Sequence, residues 1–389
     1  MDGKKINALL SLLVLFILGC SGLDGAKVNN QSSQENPILA KIELPDNFYI
    51  DIFASDLGKS LFSTPGPSQG VRFMEFHDDV LFASISNSGF IVALPDRNKD
   101  GKADDIIKVI ENLQRPHGIA FLDGFIYIAN EGSVIKAKLK EDLTADKSTM
   151  ESIINLPTGG HWTRTIRIKD DKIYVSIGSS CNVCIENDER RASILECSLD
   201  GSCKVFAKGT RNAVGFAFHP VTDEIYATEN SRDLLGDDLP PDEINIIKEG
   251  KNYGWPICFG KNIHDADFDK NTYIRNPCME PFEEPSFIDL QAHSAPLGLA
   301  FNFGNNFQEG YNGKLFVAYH GSWNRDEKTG YKIVMIDTKT KEVKDFATGW
   351  LTESNKVLGR PVDIIFDEEG MMYVSDDNAG VIYRIWYEE

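Results

Sequence analysis

The chain has 389 residues, of which 42% are hydrophobic, and its 59 acidic against 40 basic side chains give a formal net charge of -19. That supply of apolar side chains is enough for a sizeable core and excludes a disordered chain. Acidity on this scale excludes long-range attraction to nucleic acid or to an anionic membrane surface as the purpose of the protein.

At the N-terminus, Lys4 and Lys5 precede an apolar run from Ala8 to Leu18 that is too short for a comfortable membrane span and closes on Gly19-Cys20. Residues 1–19 therefore read as an export signal. Ile17-Leu18-Gly19-Cys20 resembles a bacterial lipobox, which makes Cys20 the expected lipid attachment point, with an ordinary signal and an incidental cysteine as the alternative. The expected location is outside the cytoplasm, lipid-anchored on the periplasmic side or at the cell surface. Residues 20–37 are polar without apolar periodicity and read as a flexible tether, leaving 38–389 as one domain.

From Val71 onward one phrase recurs six times: an apolar strand, an Asp or Gly turn, a strand carrying Tyr or Phe, a second turn, and another strand. Copies open at Val71, Gly118, Ile166, Gly215, Gly298 and Val362, spaced by about fifty residues, with insertions lengthening the fourth and fifth intervals. Short alternating strands at that period, with few helical patterns, predict an all-β fold: a six-bladed β-propeller of four-stranded blades. Two β-sandwich domains are the alternative. In a propeller the segments entering each blade converge at one end of the central channel, so they are where chemistry is expected.

Those entries carry Pro116-His117, Gly160-His161, Thr210-Arg211-Asn212, His293-Ser294 and Gly359-Arg360. Arg211 and Arg360 place two fixed cations in an acidic protein and predict a local anion-binding patch; pairing with acids of neighbouring blades is the structural alternative. A histidine near its ordinary pKa of about 6.5 offers a neutral imidazole for taking a proton from a hydroxyl. His117, His161 and His293 share the repeat register, and periodicity does not choose among them.

Other segments suggest cations and cross-links. The stretch after the fourth copy is dense in oxygen ligands, Glu229, Asn230, Asp237, Asp238, Asp242 and Glu243, a composition that suits calcium or a solvated acidic loop. Asp96, Asn98, Asp100 and Asp104 resemble the first half of a calcium loop, but Ile107 stands where the closing glutamate belongs. Apart from Cys20 there are six cysteines, and pairing of sequence neighbours, one of fifteen formal connectivities, joins Cys181 to Cys184, Cys197 to Cys203 and Cys258 to Cys278. Cys181-Asn-Val-Cys184 is followed by Ile185 and not histidine, so it is no haem attachment site.

The segments GSSCNVC, RNAVGFAFHP, NYGWP, HSAPLGLAF, YHGSWNR and GRPVDIIF together resemble the soluble quinoprotein sugar dehydrogenases, their sorbosone dehydrogenase-like branch above all, from about Pro65 to Tyr387. The resemblance implies a six-bladed propeller that uses pyrroloquinoline quinone (PQQ) and calcium. It implies His161 as general base, Arg211 as the group that polarises the quinone carbonyl with Asn212 beside it, and Arg360 as the holder of a cofactor carboxylate. Asn230, Ser231 and Arg232 match the segment that holds a cofactor-bridging calcium, although glucose-oxidising members have glutamine, glycine and proline there. Glu243 and the Tyr253 carbonyl match a second, structural calcium position. Arg164 and Arg325 lie in the branch's motifs and are expected near the cofactor, as are His320 and Trp323 without an assigned role. The expected activity is oxidation of an aldose or related hydroxy-aldehyde, with electrons leaving to a separate acceptor. A calcium-dependent lactonase or esterase on the same propeller, and a surface binding protein without chemistry, are the alternatives.

Overall fold

The computed structural model describes residues 36–58 and 70–389. The export signal, Cys20 and most of the tether lie outside them, and the compact unit runs from Asn36 to Glu389. Six four-stranded antiparallel sheets make up the unit, five of them with strands in sequence order from the inside outward. Their inner strands are Met74–His77, Ile119–Leu122, Ile166–Lys169, Phe216–Phe218, Pro296–Phe301 and Pro361–Phe366, which fall on the six repeats.

Local sequence explains the first hairpin of three blades. Asp78-Asp79, Asp123-Gly124 and Asp170-Asp171 all have positive φ at both positions, the backbone of a two-residue turn whose twist matches that of the flanking strands. Aspartate and glycine tolerate that backbone where most residues do not. Glycines that open three copies have another cause. A Cβ on Gly118 would lie 2.5 Å from the Ile166 nitrogen, and one on Gly215 would lie 2.1 Å from the Leu297 oxygen. Neighbouring inner strands therefore meet backbone to backbone at the axis.

The sixth blade is closed by the N-terminal strand Phe48–Ala54, which pairs with Val381–Tyr387 as its outer edge. Phe48 anchors that closure, packing edge to face against Phe307, Tyr311, Phe346 and Tyr387. A buried aromatic cluster of this kind contributes about 0.5–1.5 kcal/mol per pair beyond area burial. The fourth blade departs from the pattern. Its outer strand, Ile288–Leu290, follows a long insertion that carries a two-stranded hairpin, Cys258–Phe259 with Ile263–His264. All three neighbouring cysteine pairs form disulfides, and Cys258–Cys278 staples that insertion.

Candidate active site

The blade entries converge on a cavity of about 420 Å³ at the mouth of the central channel, within the range of small-molecule sites. It is lined by His161, Arg211, Asn212, Asn230, Ser231, His293, His320 and Arg360 from the sequence-predicted set, together with Arg72 and Asp233. Trp323, 72% exposed, stands at its rim.

His161 is fixed from one side. Its backbone N–H and its Nδ1 both reach the Ser179 carbonyl, at 2.9 and 3.0 Å, and Nδ1 lies 3.0 Å from the Ser179 Oγ. Ser179 Oγ donates its own proton to the Cys181 carbonyl at 2.6 Å. Both atoms facing Nδ1 are therefore acceptors, so Nδ1 carries the hydrogen and Nε2 of the neutral ring keeps its lone pair. Nε2 makes no hydrogen bond to any described residue. Burial, followed by the neighbouring Arg211 cation, lowers the pKa to about 4. Close approach demands a glycine nearby, since a Cβ on Gly178 would lie 2.5 Å from the His161 Cβ and 2.6 Å from Asn212 Oδ1.

Arg211 is linked to the same anchor, for its carbonyl accepts the Ser179 N–H at 2.7 Å. Its guanidinium donates to the Asn182 carbonyl, Asn182 Oδ1, the Asn230 carbonyl and Asp233 Oδ2. One of five N–H groups is left for a ligand. Burial lowers its pKa, opposed by Asp233. Asn212 presents a buried Oδ1 with no partner, and its N–H donates to Glu229.

Arg360 has no ion pair among the described residues. Its Nη1 lies 3.3 Å from His320 Nδ1, its Nη2 donates to the Tyr331 hydroxyl at 3.1 Å, and it stacks over the Tyr331 ring. His320 Nε2 lies 2.9 Å from Asp377, which also accepts from Arg72 at 2.6 Å. Against the upward pull of burial, His320 and Arg72 hold the Asp377 carboxyl far below its ordinary value. Arg72 keeps a buried Nε without a partner and sits over the Trp162 ring. Sequence reading passed over Arg72; its signal was a lone cation between Val71 and Phe73, both core residues, at the opening of the first repeat.

Two expected cofactor contacts lie elsewhere. Arg164 is fully buried, and its guanidinium is occupied by the carbonyls of Pro157, His161 and Thr163. Arg325 donates to the Asp237 carbonyl and pairs with Asp238, in the loop beside the cavity. Both cations brace backbone because adjacent loops offer them oxygens that a ligand would otherwise supply. The Asn230 carbonyl, expected on a metal, accepts from Arg211, while Ser231 donates to Asp242 and Pro241. Arg232 turns away to pair with Asp265 and Asp267 of the insertion.

The second calcium position has a different character. Glu229 and Glu243 face each other across paired strands beside a cavity of about 10 Å³, room for about one water or ion, with Tyr253 on its wall. Burial, then the like charge of Glu243, pushes Glu229 well above the usual carboxylate range; burial takes Glu243 to about 7. Glu229 Oε2 has no partner. Two buried carboxyls with an orphaned oxygen are a donor set that suits a hard cation.

An uncharacterized protein of Borreliella burgdorferi is 35% identical over 372 residues, covering 90% of this chain and 92% of that protein. The PQQ-dependent pyranose dehydrogenase of Coprinopsis cinerea is 24% identical, over 71% of this chain and 47% of its own length. Among solved structures, the Trichoderma reesei carbohydrate-active enzyme of family AA12 superposes with a TM-score of 0.73 at 20% identity, covering 90% of this chain and 98% of that one, and so shares the propeller fold. The TrAA12-like family matches residues 72–388, nearly the whole propeller, and the chain belongs to that family.

Proposed function

We propose that the chain is a PQQ-dependent oxidoreductase that oxidises a sugar hydroxyl, on an aldose or related hydroxy-aldehyde, with a structural calcium ion. The carrying observation is a neutral imidazole with an unengaged Nε2 opening on the same cavity as Arg211 and the ion-pair-free Arg360. Membership of the TrAA12-like family and the names of the relatives support the quinone and the sugar.

The donor set fits a flat tricarboxylate. Arg72, Arg211 and Arg360 line one cavity, and Arg72 Nε is a buried donor that still wants an acceptor. The lining carboxyl of Asp233 is paired to Arg211, and burial raises Asp242 to about 7, so the lining leaves cationic character for an anion. Bound here, PQQ would supply a quinone able to take up a hydride. His161 would accept the substrate hydroxyl proton at Nε2, its ring held by Ser179. The remaining Arg211 N–H would donate to an oxygen that gains negative charge, in a site where burial strengthens the interaction. Glu229, Glu243 and Tyr253 would hold the calcium. Ser179 and Arg211 keep base and cation in fixed relation through one backbone hydrogen bond.

Export and lipid anchoring through Cys20 belong to the same proposal, as does a separate electron acceptor. The test is direct: add PQQ and calcium to the full chain and record the visible spectrum during titration with aldoses. Reduction of bound quinone by a sugar supports the reading, and failure to bind quinone removes it.

A further inference from the structure

Asn182 is a residue to which neither the sequence reading nor the mechanism gives a role, yet its carbonyl and its amide are both engaged beside the cavity. Its carbonyl accepts from Arg211 Nε at 2.9 Å and from Trp255 Nε1 at 3.2 Å. Its Oδ1 accepts from Arg211 Nη2 at 3.0 Å and from the Asp233 N–H at 2.8 Å, and its Nδ2 donates to the Asp233 carbonyl at 3.0 Å. It sits inside the four-residue ring closed by the Cys181–Cys184 disulfide, whose Cα atoms are 6.2 Å apart. The same loop carries Ser179, the anchor of His161, whose Oγ donates to the Cys181 carbonyl.

We infer that Asn182 is the positioning residue of Arg211, and that the Cys181–Cys184 disulfide is a redox-cleavable clamp that holds it in place. The chemistry of the residue explains the choice. Asp233 already pairs with the guanidinium, and an amide oxygen and a carbonyl hold it further without adding a second carboxylate, so its remaining N–H stays available to an anionic ligand. A carboxylate at this position would still accept from Arg211 and from the Asp233 N–H, but it would lose the bond to the Asp233 carbonyl and add a negative charge against the guanidinium. The ring restricts the backbone of Asn182 and leaves few alternatives to the observed pose.

Cleavage of the clamp balances with a dithiol as reductant. One thiolate of the dithiol attacks a cysteine sulfur, its second thiol displaces the other bond, and two electrons and two protons end on Cys181 and Cys184 as thiols. The dithiol ends as a cyclic disulfide. Coupling requires reciprocity: whatever factor reduction removes from cofactor affinity, bound cofactor must add to the disulfide's resistance to reduction.

The test reads Arg211 first, without any ligand. In the full chain, the Arg211 guanidinium protons, Nη2–H held by the Asn182 side chain and Nε–H by its carbonyl, assigned with Arg211→Lys, should exchange slowly in the oxidised protein. They should exchange at least about tenfold faster in Asn182→Ala, in the Cys181→Ser/Cys184→Ser pair and after dithiothreitol treatment, while blade amides keep their protection. Asn182→Asp should retain the protection. Slow exchange that survives in both Asn182→Ala and the serine pair overturns the inference, whether or not PQQ binds. A second measurement rests on the proposed function: PQQ affinity by tryptophan quenching. It should weaken about tenfold to a hundredfold in Asn182→Ala and in the reduced protein. Asn182→Asp should weaken it despite keeping the pose, and Cys197→Ser/Cys203→Ser, at the outer edge of the third blade, should not. A wild-type chain that binds no PQQ defeats the functional reading alone, and the exchange data then decide the clamp.

Discussion

His117 and His161 both lie in segments entering successive blades, but the structure does not keep them in one register, since His117 stands two residues before Ile119–Leu122 and His161 five before Ile166–Lys169, and it gives them opposite surroundings. His117 is fully buried, its Nδ1 near Thr165 Oγ1, its ring 4.2 Å from that of Phe73 and edge-on to Trp162. His161 is anchored by Nδ1 to Ser179 and turns Nε2 to the cavity. Burial lowers the pKa of both rings. What separates them is access: one neutral imidazole is sealed among aromatic rings and the other faces a space where a hydroxyl can come. His293, at a third blade entry, lines the cavity too, but its Nε2 is engaged with the Gly236 carbonyl at 2.8 Å.

Substitution is the strongest way to break that contrast. His161→Gln should lower turnover with PQQ and sugar by about 10²–10⁴-fold, the range for loss of a general base, with quinone binding kept. Equal turnover in His161→Gln and wild type would remove this histidine as base. His117→Ala should leave turnover intact and destabilise the fold by about 2–4 kcal/mol, read by chemical denaturation, because it removes a packed ring.

Next in size is the cationic wall. Arg360→Ala should weaken PQQ binding by about 1.5–3 kcal/mol, the cost of a charge-assisted hydrogen bond. Arg164→Lys, at a cation that braces backbone and does not line the cavity, should change stability and leave the PQQ dissociation constant in place. Isothermal titration of both variants with PQQ distinguishes the lining cation from the bracing one.

The pH profile sharpens the account of His161. Its lowered pKa means the base form is already complete at neutral pH, so kcat/KM should have no acid limb near 6.5 and should fall only as pH approaches about 4. A midpoint near 6.5 would show an imidazole in water-like surroundings. The smallest effect expected is on stability. Chelation of calcium should lower the melting temperature by a few degrees, in line with about 2.7 kcal/mol of linkage at a hundredfold excess over Kd. Glu243→Gln should abolish that calcium-dependent shift, as seen by scanning calorimetry.

Much of the fold could be read from the chain. The six copies from Val71 to Val362 marked the inner strands, the aspartate and glycine turns marked the first hairpins, and the cysteine neighbours paired as expected. Closure of the last blade by Phe48–Ala54 was not legible, because a strand more than three hundred residues from its partner leaves no local trace. Of the site, the entry positions of His161, Arg211, Asn212 and Arg360 were visible as breaks in an apolar repeat. Arg164 and Arg325 look the same in sequence, and only the fold leaves them outside the cavity lining, held by oxygens of adjacent loops.

Sequence by itself determined the period, the turns and the kinds of side chain at each blade entry, since these follow from local backbone preference and hydrophobic alternation. Tertiary structure decided which nitrogen of which histidine is free, which guanidinium lacks an acid, and which carboxyls face each other away from water. Those outcomes depend on contacts between blades far apart in the chain, where a shift of a hydrogen-bond length exchanges a partner for an open valence.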